Sequence, residues 1–197
     1  AVRGDRLEAL YTVALALGLR QGEALGLRWQ DLDLDQGLLQ VRVALQQLPG
    51  RPPQLVEPKT PQSRRTLPLA PLLTAALRAH RARQLAERRA GGAAWHNAWE
   101  LVFTRPDGRP LSQFTVLQQF HRHLARAGLP ALRFHDLRHS CASLLVAQGV
   151  HPRVIMELLG HSTITVTMNT YSHVLPQAQR DAATAMAGLL QPLPAAE

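Results

Sequence analysis

The chain has 197 residues, of which 46% are apolar, so it is long enough to bury the core of one compact domain. Its 22 basic and 14 acidic residues give a net charge of +8, which favours a polyanion such as nucleic acid as the partner. No apolar run is long enough to span a membrane and no signal peptide is visible, so we expect a soluble cytoplasmic protein, and the single Cys141 excludes an internal disulfide.

Two helices are predicted at the start of the chain. Apolar residues recur at helical spacing between Asp5, placed as the N-cap, and Gly18, placed as the stop. A second, short helix is predicted to begin near Gln21. Arg20 then lies at the junction between the two helices, with Glu23 one turn further on.

A β region is predicted next. The segments 32–35 and 38–45 read as two strands joined by a turn, and 64–69 can return as a third strand. Prolines exclude the segment 49–61 from a central strand. Lys59 is therefore expected in a loop beside a small antiparallel sheet.

The remainder of the chain is predicted to be mainly helical. The expected elements are helices over 71–90, 112–127, 135–148, 152–159 and about 176–190, and a short strand over 101–103. The predicted fold class is therefore α+β: a mainly helical domain with a three-stranded antiparallel sheet near its N-terminal half.

The segment HDLRH places three basic side chains on one helical face. His135, Arg138 and His139 are spaced i, i+3 and i+4. An arginine can bind two phosphate oxygens while a histidine exchanges a proton, so the set suits a phosphate. Two alternatives stay open: a metal site on His135 and His139, or a basic face that touches DNA without chemistry. Cys141 faces away from His139 and is interpreted as a buried small side chain.

Lys59 is the only lysine among the 22 basic residues. Arginine cannot lose its proton near neutral pH, whereas an ammonium group can. Lys59 is therefore a candidate proton donor.

Two further segments carry candidate residues. GLRQGE (18–23) contains Arg20 and Glu23, and LLGHSTITVTMNTY (158–171) contains His161 and Tyr171. Each alone is a weak signal. In the order GLRQGE, PKT, SRRTLPL, HDLRH, LGH and tyrosine, however, they resemble the signature of phage integrases and other tyrosine recombinases, over residues 5–175.

This resemblance implies a site-specific DNA recombinase, or integrase, that cleaves and rejoins DNA strands through a 3′-phosphotyrosyl intermediate. It implies no metal, no ATP or other cofactor, and no small-molecule substrate. The catalytic residues that it implies are Arg20, Lys59, His135, Arg138, His161 and Tyr171, supported by Glu23 and His139.

The resemblance also implies a domain organisation. Residues 1–175 form the catalytic domain, the N-terminal core-binding domain of the family is absent from this chain, and 176–197 form a tail helix. That helix docks either on a neighbouring protomer or on its own domain. The expected partners are double-stranded DNA and other protomers, assembled as a tetrameric synaptic complex. Arg64 and Arg65 are expected at DNA phosphates, with a solvated strand end as the alternative.

Two rival functions are considered. The chain could be a DNA-binding module that has kept the fold and lost catalysis, or an enzyme of the type IB topoisomerase kind. Tyr11, the only other tyrosine, lies in an apolar helix and is interpreted as a core residue, so Tyr171 is the expected nucleophile.

Overall fold

The computed structural model describes residues 2–58 and 63–160. Within these ranges the helices are α1 (Glu8–Leu17), α2 (Gln21–Leu25), α3 (Pro71–Gly91), α4 (Gln113–Arg126), α5 (Asp136–Ala147) and α6 (Pro152–Leu159). The strands are β1 (Leu32–Asp33), β2 (Leu38–Val41), β3 (Ala44–Gln46), β4 (Gln54–Val56) and β5 (Arg65–Pro68). None of the helices described is long and apolar enough to cross a membrane.

The predicted three-stranded antiparallel sheet is confirmed. Its strand order is β1-β2-β5, with Leu39 opposite Leu67 and Val41 opposite Arg65. Leu39, Val41 and Leu67 are buried, because alternate residues of a strand point to the same face and this face packs on the core. Arg65 therefore starts on the inward face of the sheet.

The single strand predicted over 38–45 is wrong, because the structure divides it into β2 and β3. β3 pairs with β4 in a second, two-stranded antiparallel sheet, with Leu45 opposite Leu55. β3 packs against α2 closely enough that a Cβ on Gly26 would lie 2.7 Å from the backbone nitrogen of Leu45. The break thus lets the chain leave one sheet and cover α2 while Leu45 stays buried.

The short strand predicted over 101–103 is also wrong. This segment forms only an isolated bridge, between Arg28 and Leu101, although its side chains are buried. Side chains of α3 bind its carbonyls instead: Gln84 Nε2 donates to the Leu101 oxygen at 3.1 Å, and His80 Nε2 lies 2.7 Å from the Val102 oxygen. The polar side chains of α3 thus satisfy backbone carbonyls that a neighbouring strand would bind if this segment were part of a sheet.

The central helix is α1, which packs against α3 and α5. It begins at Glu8 rather than Asp5, whose carboxylate instead accepts a hydrogen bond from the backbone N–H of Leu7 at 2.8 Å. It ends as predicted at Gly18, which has a left-handed φ of 58°. Tyr11 is buried in the core, as predicted.

Helices α5 and α6 form the remaining side of the described core. Cys141 of α5 is buried with Ile155 and Leu159 of α6, which confirms its interpretation as a small packing residue. Leu159 also packs against Gly18, where a Cβ would collide with the leucine side chain. The end of α6 therefore lies directly on the α1–α2 junction.

Candidate active site

The α1–α2 junction holds an arginine and a glutamate together. Arg20 is the N-cap of α2, and Glu23 is the third residue of that helix. The Glu23 carboxylate accepts the backbone N–H of Arg20 at 3.0 Å and its Nη1 at 2.6 Å. The Arg20 side chain is 41% exposed and that of Glu23 only 4%, so the glutamate anchors the arginine from beneath while its guanidinium reaches solvent.

Arg138 lies on α5 and is 3% exposed. Its Nη1 donates to the backbone oxygen of Gly18 at 2.8 Å, and its Nη2 is buried without a hydrogen-bond partner among the described residues. Burial, and after it the positive charge of Arg20, lowers the pKa of Arg138 to about 10. The guanidinium thus keeps unused hydrogen-bonding capacity that an anion can satisfy.

Glu23 is shared between two arginines from different parts of the chain. Arg65 Nη2 of β5 donates to Glu23 Oε2 at 3.0 Å. Burial alone would raise the pKa of Glu23, but Arg65 and Arg20 together hold it below its ordinary value. With Arg138 nearby, three guanidinium groups face this one carboxylate, and the cluster keeps an excess of positive charge.

His135 and His139 differ from Arg138 in depth, although all three belong to HDLRH. Both histidines are exposed, and their ring centroids are 5.0 Å apart. Partial burial lowers the pKa of His135, and the neighbouring His139 and Arg138 lower it further, which favours a neutral imidazole. Within residues 2–58 and 63–160 no group of three or more His, Cys, Asp or Glu side chains could hold a metal ion.

A cleft of about 490 Å³ opens beside this cluster. Arg20, Glu23, Pro58, Ser63 and Gly160 are among the residues that line it. The cleft therefore brings together residues of four of the predicted motifs, namely GLRQGE, PKT, SRRTLPL and LGH. Arg20 Nη2 also lies 3.5 Å from the backbone oxygen of Gly160.

Three predicted catalytic residues fall outside the described ranges. They are Lys59, His161 and Tyr171, and the tail over 176–197 also lies there. Pro58 and Gly160, the sequence neighbours of Lys59 and His161, both line the cleft. The assignments of these residues stay predictions.

The structure places Arg64 and Arg65 on opposite sides of the chain. The Arg64 side chain is 55% exposed and pairs with Glu57, whereas that of Arg65 is 6% exposed and pairs with Glu23. The sequence expectation treated both as phosphate contacts and missed the inward role of Arg65. The sequence contained the signal for this inward role, because Arg65 lies two residues before the buried Leu67 and alternate residues of a strand point to the same face.

The comparisons with known proteins identify the family of the chain and its fold. The sequence model for the Phage integrase family matches residues 3–178. The chain belongs to the phage integrase family. The chain is 38% identical over 192 residues to a relative named tyrosine recombinase XerC-like, from Caldanaerobacter subterraneus subsp. tengcongensis, covering 92% of this chain and 49% of that relative. It is 31% identical over 224 residues to an integrase of Saccharopolyspora erythraea, covering 88% of this chain and 51% of that one.

Solved structures of the family share the fold. The Tn1549 transposon integrase in complex with transposon right end DNA has a TM-score of 0.77 and 26% identity, covering 96% of this chain and 61% of that chain. The XerH site-specific recombinase bound to its palindromic difH substrate has a TM-score of 0.62 and 26% identity, covering 93% of this chain and 46% of that chain. The chain thus spans about half the length of its curated relatives.

Proposed function

We propose that this chain is the catalytic part of a site-specific DNA recombinase that cleaves and rejoins DNA through Tyr171. The observation that carries the proposal is the pair of arginines at the α1–α2 junction: Arg20 is partly exposed in the cleft above Glu23, and Arg138, whose charge interacts with both, has a buried Nη2 without a hydrogen-bond partner among the described residues. Membership of the phage integrase family supports it.

The arginines would bind the phosphate to be cleaved. Arg138 offers the buried Nη2 and Arg20 a partly exposed guanidinium, so both can donate to phosphate oxygens. Both charges are in place before the substrate arrives. They would therefore stabilise the additional negative charge of a pentavalent transition state without reorganisation.

Tyr171 would supply the nucleophile. An ordinary tyrosine has a pKa of about 10, so forming its phenolate near neutral pH costs about 4 kcal/mol. Positive charge around the phosphate offsets this cost, and neutral His135 is a suitable acceptor for the phenol proton. Oη would attack phosphorus, and the bond from phosphorus to the 5′ oxygen would break.

The leaving 5′ oxygen needs a proton, which we assign to Lys59 because an ammonium can release one. His161 would complete the cationic site. The product is a 3′-phosphotyrosyl bond and a free 5′ hydroxyl, and attack by a 5′ hydroxyl of another strand reverses the step. No cofactor takes part in this proposed sequence.

Double-stranded DNA is the proposed partner, and the proposed place of action is the cytoplasm. Arg64, exposed at the edge of the sheet, is retained as a candidate phosphate contact. Assembly of four protomers on DNA, with the tail over 176–197 docked in cis or in trans, stays a prediction.

The first test is a covalent-adduct assay with a pool of nicked duplexes of randomised central sequence, in the presence of chelator. We expect a DNA-shifted band on a denaturing gel from the unmodified protein and none from Tyr171→Phe. Tyr11→Phe is the matched control, because Tyr11 is buried and burial raises its pKa, so it should form the adduct normally.

Each other outcome supports a rival function. Binding of the duplexes without any adduct would favour the inactive DNA-binding module. An adduct that needs a divalent metal would favour the metal site on His135 and His139. Relaxation of supercoiled plasmids that lack any selected site would favour topoisomerase activity.

A further inference from the structure

The guanidinium of Arg65 donates hydrogen bonds to three different residues of the protein. Its Nε donates to the backbone oxygen of Leu158 at 2.7 Å, and its Nη1 donates to that of Ser63 at 3.1 Å. Its Nη2 donates to Glu23 at 3.0 Å. One guanidinium, 6% exposed, therefore joins three separate segments of the chain.

These three segments, here called the site segments, each lead to a proposed catalytic residue. Ser63 lies shortly after Lys59 in the sequence. Glu23 anchors the guanidinium of Arg20. Leu158 is the penultimate residue of α6, shortly before His161.

We propose that Arg65 is a positioning residue whose guanidinium holds the three site segments at fixed distances from one another. It binds no DNA phosphate, because the donors that would reach one are already used inside the protein. This inference rests on the proposed recombinase function.

The geometry of the guanidinium is essential to this role. Its donors lie in a rigid planar fork, which can serve three acceptors in different directions. A lysine at the same position would keep the charge but has a single ammonium group at the end of a flexible stem. Charge and geometry can therefore be separated by substitution.

The test compares Arg65→Gln and Arg65→Lys with Arg64→Gln, a change at the exposed neighbour. DNA affinity is measured by fluorescence anisotropy on a duplex selected in the adduct assay, over a range of salt concentrations. Adduct formation is measured as a single-turnover rate at saturating DNA. Circular dichroism at the assay temperature verifies that each variant is folded.

We expect both Arg65 variants to form adduct about 100-fold more slowly, the effect of a catalytic group displaced by about 1 Å. Their DNA affinity should stay within about twofold of the unmodified protein. Arg64→Gln, a change at a candidate phosphate contact, should instead weaken DNA binding and lower its salt dependence by about one unit.

The pH dependence of the rate adds a readout that general loss of packing would not change. Among the described residues, the charged groups that act on Glu23 are Arg20 at the α2 N-terminus, Arg65 of β5 and Arg138 of α5. Removing the Arg65 charge raises the pKa of the Glu23 carboxylate, so Glu23 is protonated at a higher pH. As the solution is acidified, the rate of adduct formation should therefore begin to fall at a higher pH than in the unmodified protein. Arg65→Gln should show this shift of the acid limb, and Arg65→Lys should not.

The possible failures are distinguishable. If the unmodified protein forms no Tyr171-dependent adduct, the proposed function is wrong. If it does, but the Arg65 variants lose affinity and salt dependence as Arg64→Gln does and keep the saturated rate, Arg65 is a phosphate contact and the inference is overturned. Should Arg65→Gln not fold, the rate and affinity of Arg65→Lys decide alone.

Discussion

Two pairs with the same His-x-x-Arg spacing have opposite surroundings in this molecule. His80 and Arg83 lie on α3, and His135 and Arg138 lie at the start of α5. Each pair also has a second arginine and a glutamate nearby. These are Arg6 and Glu87 in the first region, and Arg20 and Glu23 in the second.

In the α3 region both imidazole nitrogens are occupied. Arg83 Nη2 lies 3.1 Å from His80 Nδ1, and His80 Nε2 lies 2.7 Å from the Val102 oxygen. Burial lowers the pKa of His80 to about 4, so the ring is neutral. Arg83 also donates to the backbone oxygen of Arg6 at 3.1 Å, which fastens the N-terminal segment to α3.

In the α5 region the histidine is exposed and Arg138 keeps an unpaired nitrogen among the described residues. Residue type and spacing are therefore insufficient to identify a site. The histidine distinguishes the two regions, because His80 is buried with both ring nitrogens engaged whereas His135 is exposed. An unsatisfied buried atom does not, since among the described residues Arg83 Nε and Glu87 Oε2 also have no hydrogen-bond partner.

The largest expected effect separates the two arginines of this comparison. Arg138→Gln should slow adduct formation by about 10²–10³-fold, because a preorganised donor to the transition state is removed. Arg83→Gln should leave the rate within about twofold and instead lower the free energy of unfolding by about 1–3 kcal/mol, since its backbone acceptors and His80 lose a partner. Single-turnover assays and urea unfolding measure the two quantities. A folded Arg83→Gln protein that forms no adduct would break the comparison.

A smaller effect is expected from the buried histidine as pH falls. The pKa of His80 is about 4 in the folded protein and about 6.5 in the unfolded chain, so the unfolded state binds more protons between these values. Stability should therefore decrease by about 2 kcal/mol as the pH is lowered from about 7 to about 5. Urea unfolding of the unmodified protein and of His80→Gln over this pH range checks this, because the free energy of unfolding of the variant should depend less steeply on pH. If the free energy of unfolding depended equally on pH in the two proteins, His80 would lie in a more solvated environment than the structure shows.

The smallest effect concerns the backbone that supports Arg138. Gly18→Ala should lower the free energy of unfolding by about 1 kcal/mol for its left-handed φ, and by up to about 1 kcal/mol more for the collision with Leu159. Gly128→Ala is the matched control, because its φ is +66° and a Cβ there meets nothing within 4 Å. Equal losses from the two variants in urea unfolding would mean that Leu159 moves aside freely.

Much of the fold was predictable from local patterns. Helix α6 begins and ends where Pro152 and Gly160 predict, and the three-stranded sheet follows from alternating apolar residues. The second sheet was missed because the break after Val41 depends on contact between β3 and α2, which are distant in sequence. The segment 101–103 was mistaken for a strand because its partners are side chains of α3.

The site was predictable in its residues but not in their surroundings. HDLRH indicated a phosphate-binding face, yet the spacing could not show that Arg138 is buried while His135 and His139 are exposed. Nor could it show that Glu23 is shared between Arg20 and Arg65, because that contact depends on the tertiary fold. The residue-by-residue roles stay predictions until the adduct assays are made.

The contacts around Arg20 and Arg138 also bear on the order of folding. Arg138 reaches Gly18 across 120 positions, and Arg20 approaches Gly160 across 140. Contacts of such long range close large loops and form slowly. A nascent or partly folded chain would therefore lack the paired arginines, and the proposed cleavage chemistry would require the completed fold.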